Sequence, residues 1–160
     1  ESGLLDAAYY SASWKFAFVR DPFDRAVSLF EYLHKLERLP PSTSFSTFCC
    51  YINRSEYEPV GLINHDGLSQ LNPQVAWLKD DSGNLIADFI GRFEALLDGV
   101  DVVMNKLNVP VEKRSLGHHN SSGRKVALSS YYGPSEIEII QRVYHDDFES
   151  FGYPLVPDWL

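Results

Sequence analysis

Four apolar residues, Phe16-Ala17-Phe18-Val19, run directly into Arg20, and Asp21-Pro22 follow at once. This junction constrains the fold more than any other stretch. A short continuous apolar run with aromatic and β-branched residues reads as a strand buried on both faces, as in a parallel sheet. Asp21 suits a helix N-cap, and Pro22 suits the first helical position, where its missing N–H costs nothing. From Phe23 the apolar positions recur at Val27, Phe30 and Leu33, with Ala26 beside them, which is one helix face. At ~100° per residue, Ser28 falls opposite that face with Asp21 and Arg25. Arg20 and Ser28 are therefore expected to look into one space outside the carboxyl end of the strand, where open α/β sheets bind ligands. A guanidinium and a hydroxyl there suit a phosphate group. Arg25 is expected to brace the turn by pairing with Asp21 or Asp24.

The segment Arg20-Asp21-Pro22-Phe23-Asp24-Arg25-Ala26-Val27-Ser28 resembles the 3′-phosphate-binding motif of the sulfotransferases that use 3′-phosphoadenosine-5′-phosphosulfate (PAPS). It is closest to the carbohydrate-type branch, where the motif runs Phe-Val-Arg-(Asp/Asn)-Pro-x-x-Arg-x-x-Ser. Further matches follow in order. Gln74 and Trp77-Leu78, then Asp88-Phe89-Ile90-Gly91-Arg92-Phe93-Glu94, resemble the family's central segment. His118, Asn120 and Ser122, then Tyr131-Tyr132, resemble its late loop, and Asp147-Phe148-Glu149-Ser150-Phe151-Gly152-Tyr153 its closing helix and tail. The ordered set spans nearly the whole chain and is far more specific than any single motif.

The resemblance implies an α/β fold, a parallel sheet flanked by helices of the P-loop NTPase-like sulfotransferase type. It implies transfer of a sulfuryl group from PAPS to a hydroxyl or amine of an acceptor, a carbohydrate by the branch matched, with no metal. Arg20 and Ser28 would hold the cofactor's 3′-phosphate. Asn120, Ser122, Arg124 and Lys125 would add lid contacts to phosphate or sulfate. His118 and His119 are the candidates for a base, since an imidazole can take a proton near neutral pH. The alternative is a non-catalytic nucleotide-binding or structural α/β domain. A kinase-like phosphotransferase is disfavoured, because no Gly-Lys-Ser/Thr loop accompanies the clamp.

One departure stands out. The family opens with a strand and a Lys-rich, Gly-containing loop for the 5′-phosphosulfate. The residues before Lys15 hold no lysine and, as glycine, only Gly3. The expectation is a single partial domain over 1–160, the C-terminal portion, lacking the first strand and phosphate loop and inactive alone.

Charge needs reading by distribution. The net charge of −8 argues against nucleic acid as a partner. From Lys113 to Ser135, however, there is no Asp or Glu, while Lys113, Arg114, Arg124, Lys125, His118 and His119 all fall there. An acid-free basic stretch in an acidic chain suits an anion site. No apolar run approaches the ~20 residues that span a bilayer, so no membrane segment is expected within the chain. Cys49 and Cys50 are adjacent, with no metal-ligand spacing, and read as buried thiols on a helix.

Along the chain, the patterns predict a strand at 15–19 and helices at 22–38 and 45–53. An irregular polar stretch, a candidate substrate loop, covers 54–72. A short helix or extended segment follows at 73–78, then a turn at 80–84 and a strand at 85–93, where Gly91 marks a close backbone approach. Helices are predicted at 96–107 and from Pro134 to about residue 150, with Gly152 as the stop. Arg92 and Glu94, alternate residues on the predicted strand, suggest an ion pair. Trp77 and Tyr57 are possible sugar-stacking aromatics.

Overall fold

A computed structural model describes residues 7–53, 64–65, 68–110 and 126–159. The order of elements is α1 (Ala7–Ala12), β1 (Phe16–Val19), α2 (Pro22–Lys35), α3 (Phe45–Asn53), β2 (Asn64–His65), β3 (Leu68–Ser69), β4 (Phe89–Arg92), α4 (Leu96–Lys106), α5 (Pro134–Val143) and α6 (His145–Phe151). Short 3-10 turns cover Gln74–Trp77, Phe93–Ala95 and Leu128–Tyr131. β1 and β4 pair in parallel, with Phe16 opposite Phe89 and Val19 opposite Arg92. The crossover between them carries α2 and α3. β2 and β3 form a separate antiparallel pair. The fold is thus α/β, with a two-stranded parallel sheet flanked by helices.

The local rules set most of these boundaries. Asp21 caps α2 by accepting from the Asp24 N–H at 2.9 Å, and Pro22 takes the first turn. The apolar stripe of α2, Phe23, Ala26, Val27, Phe30 and Leu33, is buried. It meets Phe45, Phe48, Cys49 and Ile52 of α3, Ile140 of α5, Tyr144 between α5 and α6, and Phe148 and Phe151 of α6 in one core. Burying a side chain of the size of Phe23 or Phe48 contributes ~2–3 kcal/mol.

Several expectations are corrected. α2 ends at Lys35, three residues early. Glu37 takes a left-handed conformation (φ 55°), and the Arg38 N–H reaches back to Leu33 O at 2.9 Å, so a left-handed C-terminal cap stops the helix before the prolines do. β4 begins at Phe89 rather than residue 85, because Leu85 bridges back to Lys79 around the 80–84 turn. The last helix breaks at Tyr144 into α5 and α6, and Gly152 (φ 64°) closes the second. β1 is not buried on both faces, since Phe16 is 46% exposed. Cys49 is buried as expected, its thiol pushed up to about 12 by desolvation, but Cys50 is exposed.

Gly91 does mark a close approach. A Cβ placed on it would lie 2.5 Å from Cε1 of Phe18, and one on Gly99 of α4 would lie 2.6 Å from the same atom. The Phe18 ring fills a slot between β4 and α4 that only two glycines leave open. Among the described residues, no helix is long and apolar enough to cross a membrane.

Candidate functional site

The site is built around the turn from β1 to α2. Arg20 sits between the last strand residue and the N-cap, so neither the sheet nor the helix supplies partners for its backbone. A side chain does so instead. The Arg20 N–H donates to Gln74 Oε1 at 2.9 Å, and Gln74 Nε2 donates to the Arg20 carbonyl at 2.9 Å. The next residue is held the same way, with the Asp21 N–H donating to Glu94 Oε1 at 2.7 Å. Tyr153 closes the ring of contacts. Its hydroxyl donates to Glu94 Oε2 at 2.9 Å and lies 3.3 Å from the Val19 carbonyl. Three side chains from distant parts of the chain thus fix consecutive residues of one turn.

The side chains of the turn have distinct surroundings. Arg20 is part-buried (20% exposed) and pairs with Asp24, whose Oδ2 accepts from Nε at 2.6 Å. The guanidinium lies over the Phe93 ring, 4.5 Å from its centroid, and Phe93 itself is half-exposed. Ser28 is part-buried, one turn beyond Asp24 on the same helix face. Asp21 has its carboxyl raised above the ordinary aspartate range. Burial is the main cause, opposed by backbone N–H groups of Asp24 and Phe23 and reinforced by the charges of Glu94 and Asp24. The Tyr153 hydroxyl is also pushed well up, by desolvation and by its carboxylate partner Glu94.

Two sequence expectations at the site are overturned. Arg25 does not pair with Asp21 or Asp24 as a brace of the turn. Its Nη2 donates to the carbonyls of Gln70 and Asn72 at 2.8 Å and 2.9 Å, and its guanidinium lies over Tyr144. Its side chain is long enough to reach the backbone at Gln70 and Asn72. Arg92 and Glu94 do not form the expected ion pair either. Arg92 Nη2 donates to the carbonyls of Phe151 and Gly152 at 2.6 Å and 3.1 Å, whereas Glu94 lies past the end of β4 and faces Asp21 and Tyr153. The 3-10 turn at Phe93–Ala95 breaks the alternation on which that expectation rested.

The late-loop tyrosines are structural. Tyr131 donates to Glu31 Oε1 at 2.7 Å, and Tyr132 donates to the Phe23 carbonyl at 2.6 Å. His118, His119, Asn120, Ser122, Arg124 and Lys125 lie outside the described residues, as does Tyr57. Trp77 is described and 38% exposed.

Sequence reasoning placed Asp147 in the matched closing segment but gave it no role. It is fully buried, and its carboxylate accepts from the backbone N–H groups of Gln74 and Val75, both at 2.8 Å. Its position was a signal. Tyr144, Asp147, Phe148 and Phe151 share the buried stripe at helical spacing, and an acid on that stripe needs a buried partner.

The turn places the Arg20 guanidinium at the carboxyl end of a parallel strand and beside a helix N-terminus, with the Asp24 carboxylate against it. The model of the sulfotransferase family matches residues 3–154, and the chain belongs to that family. The chemistry of the family is sulfuryl transfer, and this protein is a transferase of that class. No curated protein and no solved structure matches the chain.

Proposed function

We propose that this sulfotransferase takes its sulfuryl group from PAPS, holds the 3′-phosphate of that donor with Arg20 and Ser28, and delivers the group to a hydroxyl or amine of a carbohydrate. The observation that carries the reading is the state of Arg20. Its backbone is fixed on both sides by Gln74, its guanidinium is part-buried, and it stands at the strand end where a phosphate would meet the start of α2. Ser28 lies on the α2 face that carries Asp24, so a phosphate beside the first two turns of the helix could meet both groups.

In the reaction, the bond from sulfur to the leaving phosphate oxygen breaks as the acceptor oxygen or nitrogen bonds to sulfur. The acceptor's proton passes to a base, for which His118 and His119 are the candidates in this sequence. The leaving group is adenosine 3′,5′-bisphosphate, and cations near it stabilise its growing charge. Asn120, Ser122, Arg124 and Lys125 would contribute to that from the acid-free stretch. The exposed face of Trp77 suits stacking on a sugar ring.

The test is calorimetric titration with adenosine 3′,5′-bisphosphate. Arg20→Ala should weaken binding by about 1.5–3 kcal/mol, the range for a charged hydrogen bond. Equal affinity in the variant would rule out the clamp. Sulfate transfer from labelled PAPS to a panel of sugar, peptide and phenol acceptors identifies the acceptor class.

A further inference from the structure

Arg20 has no choice of backbone conformation that is its own. Its N–H and carbonyl lie past the end of β1 and ahead of the first helical bond of α2, where an unpaired buried amide is costly. Both are taken by one side chain, the Gln74 amide, in a reciprocal pair at 2.9 Å and 2.9 Å. Such a pair fixes the peptide planes before and after Arg20 together, and with them the direction in which its Cβ points. Gln74 in turn is held by Asp147. The buried carboxylate accepts from the Gln74 N–H and Val75 N–H and lies 3.4 Å from Gln74 Nε2. That contact leaves Gln74 Oε1 as the acceptor toward Arg20, which sets the orientation of the amide.

We infer that Gln74, oriented by Asp147, is the positioning residue that aims the Arg20 guanidinium at its anion. The relay runs from a buried acid on α6, through an amide in the 70s segment, to the strand–helix turn. None of its parts needs to touch the ligand. The inference rests on the reading of Arg20 as the phosphate clamp. It assigns to Gln74 a contribution to affinity that passes entirely through Arg20.

A double-mutant cycle tests this, with adenosine 3′,5′-bisphosphate and adenosine 5′-phosphate as probes and the unfolding midpoint recorded for every variant. Gln74→Met, similar in length but unable to form either bond, should weaken the bisphosphate on the order of tenfold. It should leave the 5′-phosphate, which lacks the 3′ group, unchanged. In an Arg20→Ala background the same substitution should cost nothing further. Gln74→Asn, one methylene too short to span both bonds, serves as the second variant should the methionine protein not fold, and must show the same non-additivity. If Gln74→Met has no effect, or costs as much in the Arg20→Ala background as in the parent, the positioning role is overturned while the clamp stands. If Arg20→Ala itself leaves bisphosphate affinity intact, the clamp falls, and the relay falls with it.

Discussion

Asp24 Oδ2 accepts from two nitrogens of Arg20, Nε at 2.6 Å and Nη2 at 2.5 Å. One edge of the guanidinium is therefore already engaged, and the side chain is steadied by the Phe93 ring beneath it. A carboxylate so close to the proposed phosphate clamp would both orient it and repel its anion.

The balance can be measured. Asp24→Asn keeps an oxygen that accepts from Nε and removes the negative charge. It should tighten binding of adenosine 3′,5′-bisphosphate by about threefold to tenfold at low salt, with the gain shrinking as ionic strength rises. Titration at two salt concentrations reads both effects. Weaker binding at both would mean that orientation outweighs repulsion.

Arg25 lies five residues from Arg20 and does a different job. Its guanidinium satisfies the Gln70 and Asn72 carbonyls and covers Tyr144. Arg25→Met should cost about 2–3 kcal/mol in urea unfolding, because two carbonyls lose their donor. Bisphosphate affinity of the folded variant should stay within about twofold of the parent.

The slot that receives Phe18 predicts a specific rescue. Gly91→Ala puts a methyl 2.5 Å from the Phe18 ring and should destabilise by about 1–3 kcal/mol. Phe18→Leu in the same protein should recover part of that loss, since a smaller side chain vacates the ring edge. Additive losses in the double variant would show that the clash is not with Phe18.

Asp21 gives a pH dependence whose sign follows from its raised carboxyl pKa. The native state holds that proton to higher pH than the unfolded chain does. Its contribution to stability is complete below the ordinary aspartate value and is lost as pH rises through the raised one. Asp21→Asn keeps a good N-cap and removes the buried charge facing Glu94 and Asp24. The variant should melt higher than the parent at neutral pH, and the difference should close as pH falls into the carboxylate range. A difference that widens on acidification would contradict the assignment.

How far these features could be read in advance depends on how local their causes are. The Phe16–Val19 strand, the Asp21-Pro22 helix start, the α3 boundaries, the tight approach at Gly91 and the stop at Gly152 all follow from neighbouring residues. The parallel pairing of β1 with β4 follows from connection length and apolar runs. The direction taken by Arg25, the partners of Glu94 and the break at Tyr144 do not. Each depends on which distant segment packs over the helix, and helical spacing alone cannot supply that. Gln74 and Asp147 are 73 residues apart, so their contact left no local pattern beyond an acid on an apolar stripe. Arg20 was legible as a candidate because strand, cap and cation are contiguous. Gln74, Glu94 and Tyr153 fell in segments matched to the family, but the contacts by which they hold the turn in place were not legible.

The contact between Tyr153 and Val19 joins positions 134 residues apart. During synthesis, β1 and α2 leave the ribosome long before Tyr153 is made, at about 5–20 residues per second. The nascent chain therefore carries Arg20 for several seconds without its full set of supports. On the proposed reading of Arg20, nucleotide capture is then acquired only once residue 153 has been made, and a ligand in the cell would favour chains that have gained Tyr153 over those that have not.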